Sequence, residues 1–340
     1  MNEQLITNVF SSIVKYKPTF QKYLEPDEPG EDIDVRILGD LLIKNYPWPI
    51  GVELRRLFSG AMRQPDRLRL DQLFKTIERT MQFLSFVMVA QLWEERIVKK
   101  VALTPEFTSQ FQNRFSVLTL GNYAWLIRAI SKIFQQTDTQ HFISEISDIF
   151  TNKFFDQLDF WVPERNEIGH YQINLTQADI EKRCVEYEER LSVMLQNIAF
   201  LSLYKLVTIR QINVNKVKHN VAKFNHQIDL LNSSDSDFKG MEVLQDTFAD
   251  SNSVLLMKDI KDFKDYLNLS PLVIDTRTEV IDQKEKFNIK KDIFLYTKFQ
   301  NNKVLYVGTE ITEKCDLSAL SGYTNLVKEL TELLEMVNNS

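Results

Sequence analysis

The chain has 340 residues, 44% of them apolar, which provides enough hydrophobic side chains for a buried core in each of two domains. This composition excludes an intrinsically disordered protein as the default interpretation. The net charge of −6 argues against a protein that coats nucleic acid by overall electrostatic attraction, and nine glycines and nine prolines are few for an all-β sandwich or a glycine-rich nucleotide-binding fold.

The sequence also indicates a compartment and excludes several ligands. Glu3 precedes the first apolar residues and no basic leader is present, so we expect no signal peptide. No segment approaches the ~18 consecutive apolar residues of a membrane span. Cys184 and Cys315 are far apart, and the odd spacing of His219 and His226 puts them on opposite faces of a strand. We therefore expect a cytoplasmic protein with reduced thiols and with no membrane partner, metal or cofactor.

Residues 1–64 are expected to form a helical extension. One or two helices are interrupted by an exposed loop at residues 25–32, where prolines, a glycine and acidic residues cluster. Prolines then follow both Tyr46 and Trp48. Because a residue before proline is disfavoured in helical geometry, we expect Tyr46 and Trp48 to lie outside a helix before the next one begins.

The helical pattern is clearest at residues 65–206, which we expect to form an antiparallel bundle. The apolar residues that define its first helix are Leu70, Phe74, Ile77, Met81, Leu84 and Met88. They recur at three- and four-residue spacing, and the pattern becomes apolar nearly all round after Phe83, as in a central helix. A long final helix is expected to begin near Thr176, which with Asp179 resembles a capping box.

The periodicity changes after Tyr204, where apolar and polar residues begin to alternate and β-branched side chains accumulate. Residues 207–340 are therefore expected to form a small β-rich domain. Within it, Asn301 and Asn302 separate two alternating segments and predict a hairpin, and the last residues predict a short amphipathic helix. The whole sequence predicts an α+β protein of three segments, 1–64, 65–206 and 207–340.

A basic segment interrupts this acidic chain. No Asp or Glu occurs from Leu191 to Ile228. One interpretation is a surface that contacts RNA phosphates, and the alternative is an ordinary solvated face. The candidate RNA-binding residues are Lys205, Arg210, Lys216, Lys218 and Lys223.

The segment before the final helix contains the residues that could carry chemistry, Arg165, Asn166 and His170. Histidine, with an ordinary pKa near ~6.5, can accept and return a proton at neutral pH, and arginine offers a fork of donors that fits phosphate oxygens. Five residues of regular helix turn about 500°, which leaves the two side chains roughly 140° apart. Pro163 and Gly169 predict a short helical turn that begins and ends between them. His170 could then approach Arg165 or a second subunit.

The motif and the helical layout resemble the HEPN superfamily of helical bundles over roughly residues 65–210. Its members carry an arginine, often followed by a polar residue such as Asn, and a histidine a few residues later. The resemblance implies a metal-independent endoribonuclease or toxin-type effector of a bacterial defence or conflict system, usually a homodimer in which two motifs face one cleft. His170 would then be the general acid or base for attack by a ribose 2′-hydroxyl. Arg165 would stabilise charge on the phosphorus, and Asn166 would position the pair.

Two interpretations of the motif stay open. In the first, RNA is the substrate and a regulatory or antitoxin protein is a candidate partner. In the second, Arg165 pairs with Glu164 or another acid, while Asn166 and His170 cap helix ends. The protein would then be a non-catalytic module that dimerises through its helices and docks a partner through its β domain. Incubation with RNA in EDTA separates the two interpretations.

Overall fold

The structure, a computed structural model, describes residues 2–25, 32–171, 175–231, 240–278, 291–310, 314–319 and 323–338, without the side chains of 168–171, 319 and 338. Most of the loop predicted at 25–32 lies outside the described residues. Helices concentrate in the N-terminal part and strands in the C-terminal part, which confirms the α+β prediction. The chain divides into two compact units, each with its own packing.

Helices precede strands along most of the chain. The α-helices are α1 (Glu3–Val14), α2 (Val35–Asn45), α3 (Trp48–Leu57), α4 (Arg67–Val98), α5 (Pro105–Ser116), α6 (Leu120–Gln136), α7 (Ile146–Ile149), α8 (Asn152–Tyr171), α9 (Gln177–Asn197) and α10 (Leu326–Asn338). The strands are β1 (Lys205–Asn215), β2 (Lys223–Leu230), β3 (Gly240–Gln245), β4 (Val254–Met257), β5 (Tyr266–Asn268), β6 (Val273–Asp275), β7 (Ile293–Gln300), β8 (Lys303–Gly308) and β9 (Lys314–Asp316).

The first unit comprises Met1–Phe83, Ile143–Lys205 and Leu231–Phe238. In this unit α1 packs against α2 and α9, α2 against α3, and α8 against α9. The Tyr46 hydroxyl donates to the Leu195 carbonyl at 2.7 Å and ties the end of α2 to α9. Fully buried side chains include those of Val9, Phe10, Leu38, Ile50, Leu54 and Leu191. This apolar core holds the helix that carries the motif, α8, against α9.

The second unit comprises Leu84–Phe142, Leu206–Leu230 and Lys239–Ser340. One sheet has the strand order β3-β2-β1-β4-β5, and the other has the order β6-β7-β8-β9. In the first sheet, β2 pairs antiparallel with both β1 and β3, and β4 pairs antiparallel with β5. In the second sheet, β6 to β9 pair antiparallel in chain order. Helix α5 packs on β7, where the Tyr296 hydroxyl donates to the Phe115 carbonyl at 2.9 Å and the two rings stack with centroids 4.9 Å apart.

Two local predictions are confirmed in detail. Asn301 and Asn302 connect β7 to β8 with φ values of 54° and 56°, the left-handed geometry of a two-residue hairpin turn. The Thr176 hydroxyl accepts from the Asp179 backbone N–H at 3.2 Å, and the Asp179 carboxylate accepts from the Thr176 N–H at 3.2 Å. The capping box therefore begins α9 at the predicted residue.

Trp48 departs from the prediction. Tyr46 is extended, as predicted, but Trp48 is the first residue of α3 and is buried. Pro49 occupies the first turn of that helix, where the N–H that proline lacks has no intrahelical partner. The proline pair therefore begins a helix at Trp48 instead of delaying one.

The two units are not contiguous in sequence, because residues 84–142 belong to the second and residues 143–205 to the first. The predicted boundaries near residues 64 and 206 stay a prediction. Within the described ranges, no helix combines the length and the apolar run needed to cross a bilayer.

Candidate active site

Helix α8 carries the motif and runs without interruption through Pro163 and Gly169. The predicted short turn between these two residues is therefore wrong. Arg165, Asn166 and the backbone of His170 lie on one helix in the first unit. The side chain of His170 lies outside the described residues.

Packing on both sides of Pro163 explains why the helix continues. Before the proline, Trp161 is 1% exposed and belongs to the core. After it, Glu164 and Glu167 both accept from Arg183 of α9. A proline inside a helix costs about 3 kcal/mol. These contacts hold the helical backbone on either side of the proline and offset that cost.

The continuous helix separates positions 165 and 170 around its axis. Five residues of α-helix rotate by about 500°, so positions 165 and 170 lie roughly 140° apart around the axis of α8. Arg165 and Asn166 are exposed. Positions 165 and 170 therefore lie on different sides of α8.

Arg165 does not form an ion pair with the neighbouring acid, Glu164. Glu164 accepts from Arg183 Nη1 at 3.2 Å and from the Tyr187 hydroxyl. Arg183 Nη2 also donates to Glu167 at 2.7 Å. No carboxylate of the described residues lies within 4.0 Å of the Arg165 guanidinium. This cation is therefore available to an anionic ligand.

The Glu164 contact has a structural role. Burial, and then the hydrogen bond to Glu164, raise the pKa of the Tyr187 hydroxyl, so this group remains a donor. The Tyr187 ring centroid lies 5.1 Å from that of Phe74, 5.3 Å from Trp161 and 6.0 Å from Phe160. This cluster fixes α8 against α9 just before the motif.

A groove of about 360 Å³ opens between α8 and α9. Its lining residues are Gln157, Trp161, Glu186, Glu189, Arg190 and Val193. Arg165 follows Trp161 by four residues and so continues the α8 edge of the groove. Arg190 stacks 3.5 Å above the Phe160 ring and donates to Glu186 at 3.2 Å. With two carboxylates and one engaged guanidinium, the groove favours a neutral or cationic group over a phosphate.

Two of the candidate RNA-binding cations have acidic partners in the second unit. The Arg210 guanidinium binds the Asp229 carboxylate, which is 2% exposed. Burial raises the pKa of Asp229, and Arg210 opposes the rise. Lys223 Nζ lies 2.7 Å from Asp246. Arg210 in particular is engaged in a structural pair.

The other three candidates differ from one another. Lys216 and Lys218 are exposed in the second unit. Lys205 is half-buried in the first unit, where it lies within hydrogen-bond reach of Lys17. Burial, and then the charge of Lys205, lower the pKa of Lys17 to about 7, and Lys17 Nζ donates to Asn45 Oδ1 at 2.6 Å. Lys205 is therefore poorly placed to contact RNA.

Buried charges were not predicted from the sequence. Arg69 is fully buried in the core of the first unit, and its Nη2 lies 2.6 Å from Glu188. The sequence signal is weak: Arg69 precedes the buried Leu73 by four residues, which places it on the apolar face of α4. For the part of the chain that the structure describes, no group of three His, Cys, Asp or Glu side chains is arranged to hold a metal ion.

Comparison of the chain with models of protein families, with curated proteins and with solved structures found no match. The functional interpretation therefore depends on the residues and their geometry, together with the motif resemblance.

Proposed function

We propose that the chain is a HEPN-like, metal-independent endoribonuclease or toxin-type effector of a bacterial defence or conflict system. The observation that carries the proposal is the exposed Arg165-Asn166 pair near the end of α8, whose guanidinium has no carboxylate partner among the described residues. An exposed arginine of this kind can bind a phosphate through two parallel hydrogen bonds. The packing of α8 on α9 in a helical unit supports a HEPN-like bundle as its fold.

The proposed site needs two copies of the chain. Positions 165 and 170 lie roughly 140° apart around one α8, so we infer that a second α8 supplies the missing group. In a two-fold symmetric dimer, Arg165 of one copy facing His170 of the other generates the same contact twice. The homodimer is therefore part of the proposal, and a regulatory or antitoxin protein that separates the copies would switch the enzyme off.

The chemistry follows from these groups. One His170 takes the proton of a ribose 2′-hydroxyl, and the 2′-oxygen attacks the adjacent phosphorus. The bond from phosphorus to the 5′-oxygen breaks, that oxygen takes a proton from water, and the same His170 returns its proton to the hydroxide that remains. The products are a 2′,3′-cyclic phosphate and a 5′-hydroxyl. Arg165 stabilises the charge on the pentacoordinate phosphorus, and Asn166 positions the pair.

Incubation of the purified protein with RNA in EDTA tests the proposal. We expect cleavage that leaves 2′,3′-cyclic phosphate ends, and a loss of about 10²–10⁴-fold in rate for His170→Ala. Arg165→Ala should lose cleavage as well. Arg36→Ala is the matched control, because this arginine is 88% exposed on α2, and it should cleave like the wild type. Intact RNA with the wild type, also when a candidate activator is added, contradicts the proposal.

Mixing two inactive variants tests whether the site is shared. In a heterodimer of Arg165→Ala with His170→Ala, one of the two sites contains both native residues. An equal mixture should therefore recover about one quarter of the wild-type activity if subunits exchange at random. No recovery, with exchange demonstrated by mass spectrometry, would place both groups in the same subunit.

A non-catalytic dimerisation and interaction module with a β docking domain is the second candidate. The unbroken α8 favours it, because the Glu164–Arg183–Tyr187 contacts explain this part of the helix without any ligand. For such a module we expect a dimer by light scattering, intact RNA, and no effect of His170→Ala on dimerisation.

A further inference from the structure

The β1–β2 hairpin extends beyond the sheet to which it belongs. On the side of β4, the Ile209 N–H donates to the Ser253 carbonyl at 3.0 Å, and the Ile209 carbonyl accepts from the Asn252 N–H at 3.1 Å. Every residue from Asn213 to Val221 is exposed. We call residues Gln211–Phe224 the hairpin arm.

The hairpin arm presents apolar side chains to solvent. Val214, Val217 and Val221 are 65%, 58% and 79% exposed. Val214 is the cross-strand partner of Phe224, and Phe224 packs against Phe248 with ring centroids 5.3 Å apart. Phe248 is itself 68% exposed. Single exposed valines are ordinary, but several exposed apolar side chains on one hairpin and beside it indicate a surface that another apolar phase covers.

The same surface is basic. Lys216 and Lys218 flank Val217 in the turn of the arm, and both are exposed. Lys223 contributes less, because Asp246 holds its ammonium at 2.7 Å. No Asp or Glu occurs in the arm itself. The occupant must therefore combine negative charge with an apolar layer.

We propose that the hairpin arm docks on the surface of an anionic lipid bilayer. Its valines enter the boundary between headgroups and acyl chains, while its lysines lie among the anionic headgroups. RNA fits less well, because Val214, Val217 and Val221 offer neither hydrogen bonds to phosphate nor a π face on which bases stack, and only Phe248 and His219 present exposed rings on this surface. The contact is superficial and reversible, since a short apolar insertion with a small basic patch gives weak binding. The absence of a membrane span does not exclude such a surface contact, so the proposal departs from the expectation of no membrane partner. The proposal does not rest on ribonuclease activity.

Sedimentation of the full-length protein with lipid vesicles tests this proposal. We expect binding to vesicles that contain phosphatidylserine, little binding to phosphatidylcholine alone, and release by high salt. Lys216→Gln and Lys218→Gln should each weaken the partition coefficient about fivefold. Val217→Ser combined with Val221→Ser should weaken it several-fold at unchanged charge.

A matched control changes the same residue types outside the hairpin arm. Lys153→Gln combined with Val185→Ser alters an exposed lysine of α8 and a half-exposed valine of α9, and it should bind like the wild type. Thermal unfolding of each variant verifies that it is folded. Equal binding to both kinds of vesicle, no binding to phosphatidylserine vesicles at low salt, or folded arm variants that bind normally would each overturn the proposal. Binding of an RNA oligonucleotide that the arm variants lose, without vesicle binding, would assign the arm to RNA instead.

Discussion

The buried pair of Arg69 and Glu188 gives the sharpest prediction about stability. Arg69 is 0% exposed and Glu188 is 13% exposed, and their closest atoms are 2.6 Å apart. The second Glu188 oxygen accepts from the Asn2 backbone N–H at 2.8 Å, and Arg69 donates to the Asn2 side chain at 2.7 Å. Glu188→Gln would remove the counter-charge and leave the guanidinium buried without it.

Breaking a buried ion pair from one side costs about 3–5 kcal/mol, because the remaining charge keeps its desolvation penalty. For a protein of this size, each kcal/mol lowers the midpoint of thermal unfolding by about 2–4 °C, so Glu188→Gln should lower it by about 6–20 °C. Replacement of both partners by apolar residues, Arg69→Met with Glu188→Leu, removes the desolvation penalty as well. The double variant should therefore be close to the wild type in stability.

Thermal and urea unfolding followed by circular dichroism measure these effects. Arg67→Gln is the matched control on the same helix, because Arg67 pairs with Asp71 at the surface, with side chains 29% and 55% exposed. Loss of such a pair costs a few tenths of a kcal/mol, about 0.3–0.5. The reasoning is refuted if Glu188→Gln lies within about 1 kcal/mol of the wild type. It is also refuted if the double variant loses as much stability as the two single variants together.

Three further predictions concern single groups. Burial lowers the pKa of His226, so the unfolded chain binds a proton more readily than the folded one. The difference in free energy of unfolding between the wild type and His226→Phe, measured by urea titration, should be constant above about pH 6.5 and should shift against the wild type as the pH drops below it. Thr176→Ala removes the N-cap of α9 and should cost about 1 kcal/mol in urea unfolding, whereas Thr176→Ser should retain most of the stability. Burial raises the pKa of Cys184 to about 11, so iodoacetamide at neutral pH should label Cys315 before Cys184. Mass spectrometry of the labelled native protein measures the order, and labelling of Cys184 first would contradict the prediction.

Elements with strong local signals could be predicted from the sequence. The apolar spacing of α4 and the asparagine pair before β8 depend on residues only a few positions apart, and both are confirmed. The strands β5 and β9 were missed, because three residues are too few to carry a periodicity and their pairing depends on distant residues. Trp48 was misplaced because a rule about the residue before proline competes with the preference of proline for the first helical turn.

The candidate site could be predicted only as a set of residues. A break at Pro163 was expected from the local sequence, but Arg183 lies on another helix and holds α8 together from outside that window. The basic segment was identified by its lack of acids, yet Lys205 and Arg210 have partners that composition does not reveal. One partner is Lys17, far away in sequence, and the other is Asp229 across the hairpin. Composition gives the sign of a segment's charge. Whether each charged side chain is free to bind a ligand depends on the partners that the fold brings to it.

The angular spacing of residues around α8 provides a final test of the proposed shared site. Residues four apart on a helix differ by about 400°, or 40° in direction, whereas residues five apart differ by about 140°. The double variant Gly169→His/His170→Gly therefore moves the imidazole onto the Arg165 side of the same helix. If one subunit performed the reaction, this variant should cleave RNA in EDTA at least as fast as the wild type. In the two-subunit site the histidine no longer faces its partner, so the rate should fall by about 10²–10⁴-fold, while Gly169→Ala, which leaves His170 in place, retains activity. Activity of the double variant would refute the shared site. Such activity would show that a histidine and Arg165 on the same face of one helix are sufficient for cleavage.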